Sequence, residues 1–215
     1  MDDKLLRQTI IDALDWDPSI DSANIGVAVD QGVATLTGHV ANYAQKIAAE
    51  KTVKRVKGVR GVAQDIRVDF GGPNPYSDDD IARRAVTAID LDISVPKTAI
   101  QVAVQQGWVT LSGEVDWEFQ RRAAEADVRK LQGVMGIGNR VTLKPRVVAS
   151  DVSHRIEAAL KRDAEIDASG VRVSVVDGRV RLDGEVNTYH DRDLAERAAW
   201  AAPGVKTVED HIRVV

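Results

Sequence analysis

Two groups of residues in this 215-residue chain have side chains that could bind a metal ion. Histidines could bind a metal, but none of the four has a second histidine or a cysteine at metal-ligand spacing; they are His39, His154, His190 and His211. Three consecutive aspartates, 78–80, follow Ser77, which is typical of a helix start because an acidic first turn interacts favourably with the helix dipole. We therefore predict no metal site.

The glycine-rich run from Gly133 to Gly138 has some likeness to a dinucleotide-binding loop. Such a loop follows a strand and opens a helix, whereas here a helical pattern precedes the run and a strand pattern follows it. The sequence contains no nucleophile elbow and no Walker loop, and it has no cysteine for thiolate chemistry. These features predict a protein that is not an enzyme, with no catalytic residue and no cofactor.

A basic segment at residues 46–60 is the first candidate binding surface, with six positive residues against one glutamate. It is predicted to be helical, with Ile47, Val53 and Val56 on its buried side. The positive face could contact lipid phosphates or an acidic partner, although basic residues on an outer helix face are usually only solvated. The candidate binding residues are Lys46, Lys51, Lys54 and Arg55.

These residues belong to a sequence that repeats three times. Gly32, Gly107 and Gly178 are separated by 75 and 71 residues. The same separations relate a second set of glycines and several aliphatic positions without any gap inside a repeat; they are Gly38, Gly113 and Gly184, Leu36, Leu111 and Leu182, and Gly58, Gly133 and Gly204. Turn-rich segments separate the copies, so we predict three domains at residues 1–71, 72–146 and 147–215.

Each copy predicts the same order of elements. An amphipathic helix comes first, with stripes Leu6, Ile10 and Leu14, then Ile81, Ala85 and Ile89, then Val152, Ile156 and Leu160. Ser77 is the predicted N-cap of the second of these helices, and Asp2, Asp3 and Ser150 are the predicted N-caps of the other two. A β-hairpin, a second helix over about 42–57, 117–132 and 188–202, and a last strand follow. We expect an α+β fold of three tandem α-β-β-α-β modules, each a three-stranded mixed sheet with two helices on one face.

Two glycines of each repeat have predicted structural roles. Strand parity places Gly38 on the buried face, where it would let a helix approach the sheet closely. Gly58 is expected at the C′ position of the second helix, where glycine tolerates the left-handed conformation. The equivalent glycines of the other two copies are expected to do the same.

The pattern Gly-x-Val-x-Leu-x-Gly-x-Val, followed by an alanine-rich helix and a Gly-Val pair, resembles the BON family. It runs from Gly32 to Val40 with Gly58-Val59, and it recurs in both later copies. The family takes its name from bacterial osmotically inducible and nodulation proteins. The resemblance implies a non-catalytic module associated with osmotic and envelope stress, and it implies phospholipid contact.

Apolar residues near the helix ends form the second candidate surface. Trp16 and its equivalent Leu91, followed by Ile93, come after the first helix, and Trp117 and Phe119 stand at the start of the second helix of copy two. The position of Trp117 is asparagine or threonine in the other copies, so these residues are not an obligatory core. They are expected either at a ligand surface or at an interface between repeats.

Charge and hydropathy exclude several classes of partner. The net charge of −4 gives no general attraction to nucleic acid, and no apolar stretch approaches the roughly 20 residues of a transmembrane helix. Copy three could present Arg172, Arg179, Arg181 and Arg213 on its outer sheet face, but the aromatic pair that stacks RNA bases is missing.

The acidic N-terminus has no signal peptide or lipobox, so a cytoplasmic location, with peripheral membrane contact, is expected.

The leading hypothesis is a non-enzymatic, stress-associated protein that contacts anionic phospholipid or a membrane-associated partner. The alternative is a soluble protein–protein interaction scaffold or chaperone-like protein that binds no lipid.

Overall fold

The computed structural model describes residues 2–144, 152, 156, 170–202 and 204–215. The first repeat contains two helices and three strands: α1 (Asp3–Trp16), β1 (Ile25–Asp30), β2 (Val33–Val40), α2 (Tyr43–Lys54) and β3 (Gly61–Val68), with a short 3₁₀ turn at Ser22–Asn24. The second repeat has the same order: α3 (Asp78–Leu91), β4 (Ile100–Gln105), β5 (Trp108–Val115), α4 (Glu118–Arg129) and β6 (Gly136–Leu143).

The third repeat contributes β7 (Val171–Val176), β8 (Arg179–Val186), α5 (Tyr189–Ala201) and β9 (Thr207–Val214). Val152 and Ile156, two residues of the predicted first stripe, are helical and buried. Leu160, the predicted cap Ser150, His154 and the second predicted domain boundary lie outside the described residues.

Each repeat forms one mixed sheet, and the predicted α+β fold is confirmed. The central strand pairs antiparallel with the first strand and parallel with the last, giving the orders β1-β2-β3, β4-β5-β6 and β7-β8-β9. In the first sheet, Leu36 is opposite Val27 on one side and Gln64 on the other. The parallel pair needs a crossover, which the second helix of each repeat provides.

The core of each repeat lies between the sheet and its helices. In the first repeat, Leu6 and Ile10 of α1 and Val53 of α2 are buried in one cluster with Leu36 and Ile66 of the sheet. Both helices therefore cover the same face of the sheet. The second and third repeats have clusters of their own, so each repeat has a small core among the residues that the structure describes.

First-turn aspartates connect the first helix to the hairpin turn, a role that sequence analysis missed. The Asp3 carboxylate accepts hydrogen bonds from the backbone N–H groups of Gln31 and Gly32 at 2.8 and 3.1 Å. Asp78 does the same for Gln106 and Gly107 at 2.7 and 2.8 Å. The predicted caps Asp2 and Ser77 are confirmed, since their side chains accept from backbone amides of their helices, whereas Asp3 is the first residue of α1 and not its cap.

The predicted role of Gly38 is wrong. It is exposed, its φ is +112°, and a Cβ there would lie 2.0 Å from the carbonyl oxygen of Asn24. The equivalent Gly113 would collide with the Ala99 carbonyl oxygen at 2.1 Å. The glycine is needed because the chain entering the first strand passes close to the second strand, and no helix is involved.

The second helix is shorter than predicted. In the first repeat it ends at Lys54 with Arg55 as the C-cap, so Gly58 lies three residues beyond the cap and not at C′. Gly58 still has a left-handed φ of +95° and turns the chain toward β3. The Arg60 N–H then bonds to the Gly32 carbonyl at 2.8 Å, which joins the start of β3 to the hairpin turn.

Candidate functional site

The basic segment forms the solvent-facing side of α2. Asn42 caps this helix by accepting from the Gln45 N–H at 3.0 Å, and Ala49 and Val53 anchor its opposite side in the core. Lys54 pairs with Glu50 one turn earlier at 2.7 Å, which neutralises that charge. Lys46 is half-buried at the N-terminal end of the helix. Of the four candidate binding residues, Lys51 and Arg55 are therefore the exposed cations that remain.

Lys51 and Arg55 remain exposed to solvent, and neither has an ion pair within 4.0 Å among the described residues. Partial burial is the main cause that lowers the pKa of Lys51, and the cations Arg129 and Arg197 of the other two domains lower it further. Lys51 therefore faces the neighbouring domains. Hydrogen bonds from Ser19 are the main cause that lowers the pKa of Asp17, and the charge of Arg55 lowers it further, so Arg55 lies toward the end of α1.

Trp16 is the last residue of α1 and is 89% exposed. The next residue, Asp17, accepts a hydrogen bond from the Thr52 hydroxyl of α2 at 3.1 Å. This bond places Trp16 beside the C-terminal, basic half of α2. An exposed indole at this end of α1 is a group that could enter a membrane interface or a partner's pocket.

Leu91 and Ile93 occupy the corresponding end of α3 and are 77% and 103% exposed. Trp16 and Leu91 thus end the first helices of two different domains. Trp117, half-buried, and Phe119, 56% exposed, lie instead where the second and third domains meet.

The domains contact one another through their second helices. Tyr43, the first residue of α2, packs against the core of the second domain, and burial is the main cause that raises its pKa. Tyr189, the first residue of α5, packs against the core of the first domain and donates its hydroxyl proton to the Arg60 carbonyl at 2.5 Å. Between the second and third domains, the Arg121 guanidinium lies 5.6 Å from the centre of a Trp200 ring.

Glu118 is the first residue of α4 and is only 4% exposed. Its Oε1 accepts from Arg121 at 2.8 Å and from Arg122 at 3.1 Å. Its Oε2 is buried without a hydrogen-bond partner in the described part of the chain. Such an oxygen is unusual in a native structure, because burying a carboxylate oxygen without a donor costs free energy.

Sequence analysis missed the charged residues that meet between the domains. They are Glu118, Arg121, Arg122, Glu125 and Arg129 on α4, and Asp193 and Arg197 on α5. The positions on α4 recur at helical spacing, so a charged stripe was readable from the sequence. Its opposing partners were not, because they come from other domains.

Three of the four arginines predicted on the outer face of the third sheet lie close to acids. Arg181 bonds to Asp183 at 2.9 Å, and Arg213 pairs with Glu185 at 2.8 Å. Arg179 lies 4.0 Å from Glu209. This face therefore carries alternating charge and is not a positive strip.

No helix within the described ranges is long and apolar enough to cross a membrane.

In the same ranges, no three His, Cys, Asp or Glu side chains are grouped closely enough to hold a metal ion.

Comparison with known proteins agrees with this architecture. The BON domain model matches the chain three times, at residues 2–69, 77–145 and 149–215. The chain therefore belongs to the BON domain family. It is 33% identical over 148 residues to osmotically-inducible protein Y of Escherichia coli K12, an alignment that covers 67% of this chain and 74% of that protein.

Two solved structures of CdsD, a structural protein of the type III secretion system of Chlamydia trachomatis, also match. The first is 16% identical with a TM-score of 0.27, over 97% of this chain and 91% of that one. The second, a C-terminal domain, is 17% identical with a TM-score of 0.26, over the full length of both chains. TM-scores this low support no conclusion about the fold or function of this protein.

Proposed function

We propose that this chain is a non-enzymatic, stress-associated binding protein that contacts the surface of anionic phospholipid membranes. Membership in the BON family and the similarity to an osmotically inducible protein support the stress association. The observation that carries the membrane contact is Trp16, almost fully exposed beside the basic end of α2.

The chemistry of this surface suits the interface of a bilayer. An indole has an apolar body and one N–H donor, and it therefore prefers the boundary between headgroups and acyl chains. Each basic residue near an anionic surface contributes about 1 kcal/mol of attraction, which salt screens. Arg55, exposed at the C-terminal end of α2, is the cation that this mode of binding would use.

Co-sedimentation with lipid vesicles tests this proposal. The full chain would be mixed with phosphatidylglycerol-containing or purely phosphatidylcholine vesicles at low and at near-physiological salt. We expect binding to the anionic vesicles, with a marked loss at the higher salt. Absence of binding to anionic vesicles at low salt would eliminate the proposal.

Matched variants locate the binding surface. Charge reversal in Arg55→Glu should weaken binding, whereas Arg67→Glu reverses the charge of another exposed cation, which lies on β3 near Asp65, and should change little. Trp16→Ala should weaken binding more than Trp108→Ala, which removes an indole 56% exposed on β5. If both members of each pair lose binding equally, the surface at the end of α2 is not the contact.

A protein-binding scaffold is the second candidate function, and the exposed end of α3 favours it. Leu91 and Ile93 are aliphatic and highly exposed, which suits an apolar contact with a partner protein. Under this alternative, Leu91→Ser would reduce recovery of a specific partner, and the vesicle experiment would give no binding.

A further inference from the structure

One position of the repeat departs from its equivalents at the domain junctions. Tyr43, Glu118 and Tyr189 are separated by 75 and 71 residues, and each is the first residue of a second helix. The two tyrosines insert their rings against a neighbouring domain. Glu118 stands at the junction with the third domain, where a carboxylate is much smaller than a phenol ring.

An apolar cleft lies at this third junction. It has a volume of about 370 Å³ and is lined mainly by Trp117, Phe119 and Trp200, with Arg122 and Arg197 at its polar edge. Three aromatic side chains around an unfilled space are typical of small-molecule sites, which are concave and largely apolar with a few polar groups. At the two equivalent junctions, a tyrosine occupies the corresponding position.

A second, polar cleft of about 530 Å³ adjoins the first and shares Glu118, Arg122 and Arg197 with it. All three domains contribute, through Lys51, Ala126 and Arg197, which are themselves equivalent positions of the repeat. The second domain has Ala126 where the other two domains have a cation, and this small side chain leaves room in the cleft.

The polar cleft has an excess of positive charge. Five cations line it, namely Lys51, Arg121, Arg122, Arg129 and Arg197, against the three acids Glu118, Glu125 and Asp193. Arg121 and Arg122 share a single carboxylate oxygen of Glu118. This local excess contrasts with the net charge of −4 of the whole chain.

Two further observations show unmet interactions among these cations. Arg129 pairs with Glu125 at 2.7 Å through one terminal nitrogen, but its Nε is buried without a hydrogen-bond partner in the described part of the chain. Repulsion from Arg129 and Arg197 adds to burial in lowering the pKa of Lys51. An anion between these groups would relieve the repulsion and supply an acceptor.

We propose that the two clefts together bind a single-chain anionic amphiphile, a molecule with a phosphate-class head and one alkyl chain. The head lies among Lys51, Arg129 and Arg197, and the alkyl chain lies against Trp117, Phe119 and Trp200. This site binds individual molecules between the domains, so it goes beyond the membrane contact at the end of α2 and does not depend on it.

Titration calorimetry on the full chain tests this inference, with dodecyl phosphate as the probe below its micelle concentration. Inorganic phosphate supplies the head alone, and dodecyl maltoside supplies the same chain on a neutral head. We expect dodecyl phosphate to bind at least about tenfold more tightly than either control. Equal binding of the maltoside would overturn the role of the cations, and equal binding of inorganic phosphate would overturn the role of the apolar cleft.

Variants taken from the repeat itself locate the site. Glu118→Tyr places in the second domain the residue that the other two already carry, so the variant is expected to fold and to fill the apolar cleft. It should weaken dodecyl phosphate binding by about tenfold or more, and Arg197→Ala, which keeps Glu118, should also weaken it. Arg55→Glu, which tests the membrane surface, should leave this binding unchanged. Unaltered affinity in Glu118→Tyr and Arg197→Ala would refute the site.

Discussion

Two carboxylates that meet in the second domain predict a pH-dependent weakness of that domain. In the first domain, the Thr52 hydroxyl donates a hydrogen bond to Asp17 at 3.1 Å. The equivalent residues of the second domain are Asp127 and Asp92, so an acid replaces the hydroxyl donor. One Asp127 oxygen is buried without a hydrogen-bond partner in the described part of the chain.

The two acids contribute to stability with opposite signs. Burial raises the pKa of Asp127 above its ordinary value of 3.8, and its interaction with Asp92 raises it further. Its contribution is therefore fully present below the unfolded pKa and is lost as the pH rises through the folded pKa. Hydrogen bonds from Ser94 lower the pKa of Asp92, so its contribution is present above the unfolded pKa and is lost on acidification.

The substitution Asp127→Thr removes the repulsion and restores the donor found in the first domain. Two charges 4 Å apart repel by about 1 kcal/mol in water and about 4 kcal/mol at a protein surface. Solvent reaches 22% of the Asp127 side chain, so screening keeps the cost near the lower limit. We expect the variant to stabilise the second domain by about 1 kcal/mol at pH 7, with a smaller gain near pH 4.

Amide hydrogen exchange on the full chain measures this effect domain by domain. Peptides of β5 and β6 should exchange more slowly in Asp127→Thr at neutral pH, while β2 and β3 serve as the internal reference. The reciprocal Thr52→Asp should instead speed exchange in the first domain at neutral pH. Unchanged or faster exchange of β5 and β6 in Asp127→Thr would refute the reasoning.

Three further predictions concern stability and are checked by urea unfolding of the full chain. Gly113→Ala should cost about 2 kcal/mol or more, because the position has a φ of +133° and no room for a Cβ. Asp78→Ala should cost about 1–2 kcal/mol by removing the acceptor of two turn amides, whereas the neighbouring Asp79→Ala should be nearly neutral. Leu111→Ala should cost about 3 kcal/mol because the residue is fully buried, whereas exposed Leu91→Ala should cost little. An equal cost within the aspartate pair or within the leucine pair, or a neutral Gly113→Ala, would contradict the account.

Sequence reasoning reached the fold because the signals within one repeat are local and occur three times. The stripe Leu6, Ile10 and Leu14 has the helical period, and all three residues are buried as predicted. The same reasoning failed at Gly38, because alternation along a strand cannot show that the chain before the neighbouring strand passes within contact distance.

The candidate site was only partly predictable. Lys51 was a candidate from charge alone, but its neighbours Arg129 and Arg197 come from two other domains, and no periodicity within a repeat reveals them. One signal was present in the sequence: the position of Glu118 is tyrosine in both other copies. Its meaning appears only when the junctions can be compared in three dimensions.

Hydrogen exchange of the full chain with and without phosphatidylglycerol vesicles tests the proposed membrane contact most directly. The account predicts slower exchange at the end of α1 around Trp16 and in the C-terminal half of α2, with the outer strands β7 and β9 of the third sheet unchanged. Protection confined to the third sheet, or no protection in α2 under conditions where the protein co-sediments with the vesicles, would contradict it.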